Sequence, residues 1–302
     1  MRREIVGQEL RWIDVVDPDA DDLRFLREDL GFHPLDVAEC EKPSHLPKVE
    51  PHPTYVFLVI HAPAYVASER TTVSLEFDIF VSTEVIVTVH AGSATFLSHF
   101  FETISTQDDA RQRTVGRGAA YLLYSILDRL FEGAFPMLDR IVEKLSAAEQ
   151  RIFSGDERRM VVELSAIQRD LLGFRSILRP QRHLYEASAL NGDWSTPTFG
   201  VVFRSLHGKL NRLWDYLETL WERSDTLAAT NAALLNHKLN EFVKNLTILG
   251  ALFIPFGLIA QTIAFLDADV APPNRVIFWG IIGVMLVVDF AIMWKARHRN
   301  IL

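Results

Sequence analysis

The sequence predicts an α+β domain, then long helices, then two C-terminal transmembrane helices. Three observations carry that prediction. Residues 54–91 hold runs rich in β-branched and aromatic residues, the composition that suits a pleated, half-buried surface. From Gly118 onward the apolar residues recur at helical spacing with few breaks. Near the end, Leu246 to Leu266 contains no charged residue, about the 20 residues a helix needs to cross a hydrocarbon core.

The elements follow in order. "DPDADDLRFLREDLG" opens with a capping-type start, sets Leu23, Leu26 and Leu30 at helical spacing, and stops at Gly31. "TYVFLVIHAPAYV" and "TTVSLEFDIFVSTEVIVTVHA" are strands punctuated by turn formers, and "SATFLSHFFETI" returns to helix. "GRGAAYLL" is a loop entering a helix. From there "AAYLLYSILDRLFEGAFPMLDRIVEKLSAAEQRIF" predicts one long helix, and "SGD" joins it to a second, "DERRMVVELSAIQRDLLGFRSILRPQRHLYEAS". Pro180 either kinks that second helix or sits near a turn. After "NGDWSTP" a third helix begins near Thr198 and runs unbroken to Phe265. Its 68 residues would extend about 100 Å, so it needs partners along its length, which favours a bundle of subunits. There is no internal repeat and no low-complexity tract.

A second uncharged run, Val276 to Val288, continues past Asp289 to Lys295. Only "DADVAPPNR" separates the two runs, which forces an antiparallel hairpin broken at Pro272 and Pro273. Lys238 and Lys244 precede the first run; Lys295, Arg297 and Arg299 follow the second. The connection sets Arg275 against Asp267 and Asp269. The positive-inside rule therefore predicts a multi-pass protein of the plasma (inner) membrane with both termini cytoplasmic and the loop outside. The expected division is a cytoplasmic α/β domain over 1–117, a helical stalk over 118–245, and a first membrane helix over 246–266. An external loop over 267–275, a second membrane helix over 276–294 and a basic tail over 295–302 complete it.

Charge and cysteine usage agree with that division. The 302 residues carry a net charge of −8, yet residues 1–105 alone hold 18 acidic and 8 basic side chains. An acidic N-terminal part argues against a nucleic-acid surface. The single cysteine, Cys40, excludes an intrachain disulfide and fits a reducing compartment. The N-terminus lacks the apolar stretch of a cleavable signal peptide.

The first membrane helix carries the unusual chemistry. Asn240, Thr247, Gly250, Ile254, Gly257 and Gln261 are spaced 7, 3, 4, 3 and 4 apart, so they share one stripe. Asn, Thr and Gln cost free energy in hydrocarbon unless paired or hydrated. Two readings fit: close helix packing through small residues, or a water-lined path formed when several copies turn the stripe to a common axis. Asp267 and Asp269 either concentrate cations at an entrance or keep a short loop polar. Asp289 either serves function within the span or pairs near the inner interface.

Enzyme chemistry is not predicted: there is no Walker motif, no Gly-x-Gly-x-x-Gly, no Gly-x-Ser-x-Gly and no paired-carboxylate site. The ten histidines are scattered. His45 and His52 near Cys40 lack the spacing of a structural zinc site, so no resident metal is assigned and no cofactor is expected to bind tightly.

Taken together, "RWIDVVDP", "DLRFLREDLGFHPLDVAE", "LPKVEPHPTYVFLVIHAP" and "VSLEFDIFVSTEVIVTVHAG" resemble the N-terminal domain of the CorA family of divalent-cation transporters. "RDLLGFRSILRPQRHLYEA" is similar to that family's cytoplasmic helices, and "NEFVKNLTILGALFIPFGLIAQTIAF" to its first membrane helix, including Pro255. The resemblance implies a funnel-shaped homopentamer in the bilayer whose first span lines a pore for Mg2+, Co2+, Zn2+ or Ni2+, carried as substrates. It implies that Asn240 is the inner pore asparagine and that Val243, Leu246 and Ile254 form apolar constrictions. The family's Tyr-Gly-Met-Asn at the outer mouth is replaced here by Ile263, Ala264, Phe265 and Leu266. Gln261 is then the last strong hydrogen-bonding side chain before that mouth, either ringing the pore or bonding a neighbouring helix. Ser205 falls where some members place an intersubunit metal-sensing aspartate. The alternative in another class is a pentameric sensor or scaffold that conducts poorly.

Overall fold

The computed structural model describes residues 1–42, 46–66, 71–182 and 197–266, together with positions 280, 283, 284, 287 and 290. Six strands form one sheet: β1 (Arg2–Val6), β2 (Arg11–Val16), β3 (Lys48–Pro51), β4 (Val56–Val66), β5 (Thr71–Val81) and β6 (Val85–His90). Their order is β1-β2-β6-β5-β4-β3. β2 and β6 pair in parallel; every other pair is antiparallel. The sequence pattern shows β4, β5 and β6 but not β1, β2 and β3.

Both faces of the sheet are covered, which explains why β4 and β6 read as continuous apolar runs rather than alternating ones. On one face Ile13, Val15, Phe57, Val59, Phe80 and Val87 pack with Leu26 of α1 (Ala20–Glu28) and Val37 of α2 (Pro34–Glu39). Phe32, between these helices, stacks on Phe80 at 4.3 Å. On the other, Trp12 meets Phe100 and Phe101 of α3 (Thr95–Thr106) at 5.7 and 4.9 Å. α1 starts as its sequence predicts, with a capping box between Asp19 and Asp22, and Gly31 past its end has φ 70°. A short helix, α4 (Asp108–Thr114), leads toward the helical part.

The single helix expected from Ala119 is two: α5 (Ala119–Glu132) and α6 (Ala134–Ser154). The break has a local cause. Gly133 donates to the Arg129 and Phe131 carbonyls, and Pro136, three residues on, has no N–H to continue the ladder. α6 ends on Gly155 (φ 99°), and α7 (Glu157–Gln181) follows, with Pro180 tolerated next to its last residue. α8 runs from Pro197 to Leu266 as one helix, within a residue of the expected limits at each end.

Apolar side chains on these helices are buried in alternating steps of three and four. They are Leu138, Ile141, Leu145, Ala148 and Ile152 on α6, and Met160, Leu164, Ile167, Leu171, Phe174 and Leu178 on α7. On α8 they are Leu206, Leu210, Leu213, Leu217 and Leu220. That spacing makes a continuous seam on each helix. Lys144–Asp170 (3.3 Å) and Arg151–Glu163 (2.7 Å) run in opposite senses, so α6 and α7 are antiparallel. Lys209–Asp128 (2.6 Å), Tyr216–Asp139 (2.9 Å) and Arg223–Glu149 (2.7 Å) ascend together, so this part of α8 runs parallel to α5 and α6.

The chain divides into two compact units, 1–229 and 230–302, the division falling within α8. Among the described residues no helix is long and apolar enough to cross a membrane. Within the expected first span, the side chains at 251, 252, 254–256, 260 and 262–266 lie outside the described residues. The expected loop over 267–275, Asp289 and the tail over 295–302 also lie outside them, as does the second span apart from the five positions named above.

Candidate ion pathway

The stripe residues all stand on the continuous part of α8, so the helix places them one above another, as their spacing predicts. Asn240, Val243, Leu246, Thr247, Gly257 and Gln261 are exposed and Gly250 is half-exposed; the side chain of Ile254 lies outside the described residues. The Thr247 hydroxyl donates to the Val243 carbonyl at 2.8 Å, which leaves its oxygen lone pairs facing outward as acceptors. Exposure does not single out the stripe. Beside the stripe, Val243 and Leu246 are each 57% exposed, and Phe242 and Phe253 are 65% and 66% exposed. What distinguishes the stripe is chemistry: from Leu246 to Gln261, polar and small side chains follow one line of a helix segment that is otherwise apolar. Ser205 is exposed on the first half of α8. Asp267 and Asp269 lie outside the described residues.

The N-terminal unit holds a second body of polar chemistry. Asp14, fully buried on β2, accepts from Thr88 at 2.6 Å, meets His90 Nε2 at 3.2 Å, and pairs with Arg3. Trp12 Nε1 donates to the Thr88 hydroxyl at 3.1 Å, extending the network under α3. Burial alone would raise the Asp14 carboxyl; the bonds from His90, Thr88 and Arg3 outweigh it and hold the group below its ordinary value.

Asp78, on β5, behaves in the opposite way. It is 5% exposed, one of its oxygens has no hydrogen-bond partner, and burial, followed by the nearby Glu76 carboxylate, pushes its pKa up to about 7. It lines a cavity of about 730 Å³ with Cys40, His61, Glu76 and His90. The Cys40 thiol is pushed well above its ordinary value by burial and then by Asp78, so it holds little reactive thiolate. Gln181, at the end of α7, accepts from His61 N–H at 3.2 Å and donates to His61 C=O at 2.7 Å, filling the edge of β4 beyond the last residue paired with β3. Sequence reasoning passed over Asp14, Asp78, Thr88 and His90. Their signal was a polar residue inside an otherwise apolar strand, as in "WIDVV", "FDIF" and "VIVTVH". Among the described residues one group has three candidate metal ligands close together: Asp36, Glu50 and His52.

The whole chain has relatives. The family model described as "CorA-like Mg2+ transporter protein" matches residues 7–298. The putative metal ion transporter YfjQ of Bacillus subtilis is 25% identical over 292 residues, covering 96% of this chain and 89% of the relative. The cobalt/magnesium transport protein CorA of Methanocaldococcus jannaschii is 23% identical over 297 residues, covering 96% and 91%. The complete structure of the CorA magnesium transporter from the same archaeon superposes with a TM-score of 0.77 at 21% identity, over 98% of this chain and 93% of that one. That likeness establishes the fold: an α+β domain with long helices. The family match runs from the turn after β1 past the end of α8 through the second uncharged run, and by it the chain is a member of the CorA-like Mg2+ transporter family.

Proposed function

We propose that this chain is one subunit of a homopentameric membrane transporter that passes Mg2+, Co2+, Zn2+ or Ni2+ passively down their electrochemical gradient. The observation that carries the reading is the polar and small-residue stripe of α8, lying inside a family match that spans residues 7–298. Five copies turning that stripe to one axis give a ring of carboxamides at Asn240 and another at Gln261. Between them lie apolar collars at Val243, Leu246 and Ile254 that control wetting.

The ion travels with water, and amide oxygens contact its hydration shell. Ile263, Ala264, Phe265 and Leu266 have no group to take that role at the outer end, so Gln261 takes it. Asp267 and Asp269 face the outside and raise the local cation concentration. Both termini lie in the cytoplasm. The inside-negative potential contributes about 2.3 kcal/mol per charge per 100 mV, and twice that for a divalent ion, so no nucleotide is needed.

Flux of the four ions into proteoliposomes tests the reading. Wild type conducts without ATP. Gln261→Leu suppresses flux by replacing five polar groups with a dewetted collar, while Thr262→Leu, about 100° away on the helix at nearly the same depth, has a much milder effect. A wild type that carries none of the four ions would leave the sensor or scaffold reading in its place. Equal flux from Gln261→Leu and wild type would mean that Gln261 only joins helices.

A further inference from the structure

The geometry points to a divalent transition-metal site in the N-terminal unit, formed by Asp36, Glu50 and His52 and separate from the α8 stripe. One ligand atom from each residue lies within 4.8 Å of the other two. The spacing of these residues in the chain does not suggest a centre; the fold assembles it. Pro34 and the His33 ring, which accepts from Leu35 N–H at 3.3 Å, start α2 so that Asp36 points inward with its side chain 4% exposed. β3 carries Glu50 opposite Phe57 of β4. The chain then turns, with His52 N–H donating to Tyr55 C=O at 2.8 Å. This turn brings the Tyr55 hydroxyl to Asp36 Oδ2 at 2.6 Å.

The His52 ring is held by its neighbours. It stacks on Tyr55 at 4.5 Å and 15°, with His33 on a nearly parallel plane at 5.9 Å. Its Nε2 lies 2.8 Å from Asp36 Oδ2, yet it is shielded from solvent and has no hydrogen-bond partner. With its lone pair turned to the carboxylate oxygen, Nε2 is repelled unless a proton or a metal ion sits between the two atoms, and a metal ion would use both as ligands. Glu50, half-exposed, offers a third ligand from the solvent side, where water can complete the coordination.

An imidazole nitrogen with two carboxylates suits Zn2+, Co2+ or Ni2+, whereas Mg2+ favours an all-oxygen octahedron. The Tyr55 hydroxyl orients the Asp36 carboxylate as an outer-shell partner. Lys48 is the built-in competitor: its ammonium lies 3.1 Å from Glu50 and 2.6 Å from Glu39. A bound ion takes Glu50 and leaves Lys48 with Glu39.

The test is Co2+ binding to the full-length protein in detergent, stripped first with a chelator and held in excess Mg2+. The readout is the visible d–d absorption of Co2+, with no gradient and no transport involved, so the result is independent of whether the protein conducts. Wild type should saturate at one Co2+ per chain. His52→Phe keeps the stacking on Tyr55 and should abolish the band. Glu50→Gln should weaken binding about tenfold or more, and Lys48→Met should tighten it. Circular dichroism reports whether each variant folds, and Lys48→Met tests the site even if His52→Phe does not. A wild-type spectrum from His52→Phe, or unchanged affinity in Lys48→Met, would overturn the proposal.

Discussion

Asp78 and Asp14 are both buried carboxylates of one sheet, and their environments send them in opposite directions. Asp14 has Arg3, Thr88 and His90 to stabilise its charge; Asp78 has burial and a neighbouring carboxylate against its own. Folded Asp78 holds its proton up to about pH 7, whereas the unfolded chain releases it near the ordinary carboxylate value. The folded state therefore loses stability as pH rises through that window, and the loss is complete above about pH 7. Asp14 has the reverse dependence, its contribution fading only as pH falls through its lowered value. Asp78→Asn, similar in shape and never charged, should unfold at a higher temperature than wild type. The margin should grow from about pH 4 to about pH 8 and then level off, at a few kcal/mol at most. A margin that does not change with pH would show that the Asp78 pKa is the same in the folded and the unfolded chain.

At the level of elements, the seams of α6, α7 and α8 repeat in steps of three and four, and the turn between α6 and α7 sets their register. Gly155 makes that turn with φ 99°, a conformation that costs any L-residue with a Cβ about 1–2 kcal/mol. Gly173 is the control. It lies mid-helix in α7, and an added Cβ would meet the Thr72 carbonyl at 3.6 Å, an ordinary contact. Gly155→Ala should lower the thermal midpoint, while Gly173→Ala should leave it unchanged or raise it by up to about 1 kcal/mol of helix propensity. No loss in Gly155→Ala would mean that the turn is not strained, and a loss in Gly173→Ala would mean that the helix is crowded there.

At the level of the molecule, α8 changes character along its length. Its leucines from 206 to 220 are buried, whereas Leu239, Phe242, Leu246, Leu249 and Phe253 are each more than half exposed. A helix that exposes so many large apolar side chains needs cover, either hydrocarbon or other copies of itself. Family membership and the polar stripe favour both together, with copies on the stripe side and lipid on the other. Native mass measurement in detergent should give five chains. Only monomers and dimers would remove the pore, because no hydrated environment for Asn240 and Gln261 would remain.

Read alone, the sequence determined what depends on periodicity within one segment. This included the strand runs of β4 to β6, the capped start of α1, the limits of α8, and the line shared by Asn240, Thr247, Gly250 and Gln261. Each is expressed by neighbouring residues through a fixed helical or pleated repeat. The break at Gly133 was present in the sequence too, as a glycine three residues before a proline, but the strong apolar period around it masked the signal. Only the tertiary structure decided which distant residues meet. Asp14 bonds Thr88 across 74 positions because β2 and β6 pair in parallel. Asp36 meets His52 because β3 folds back on β4 beneath α2. Such meetings depend on sheet pairing and loop closure, which no local repeat encodes.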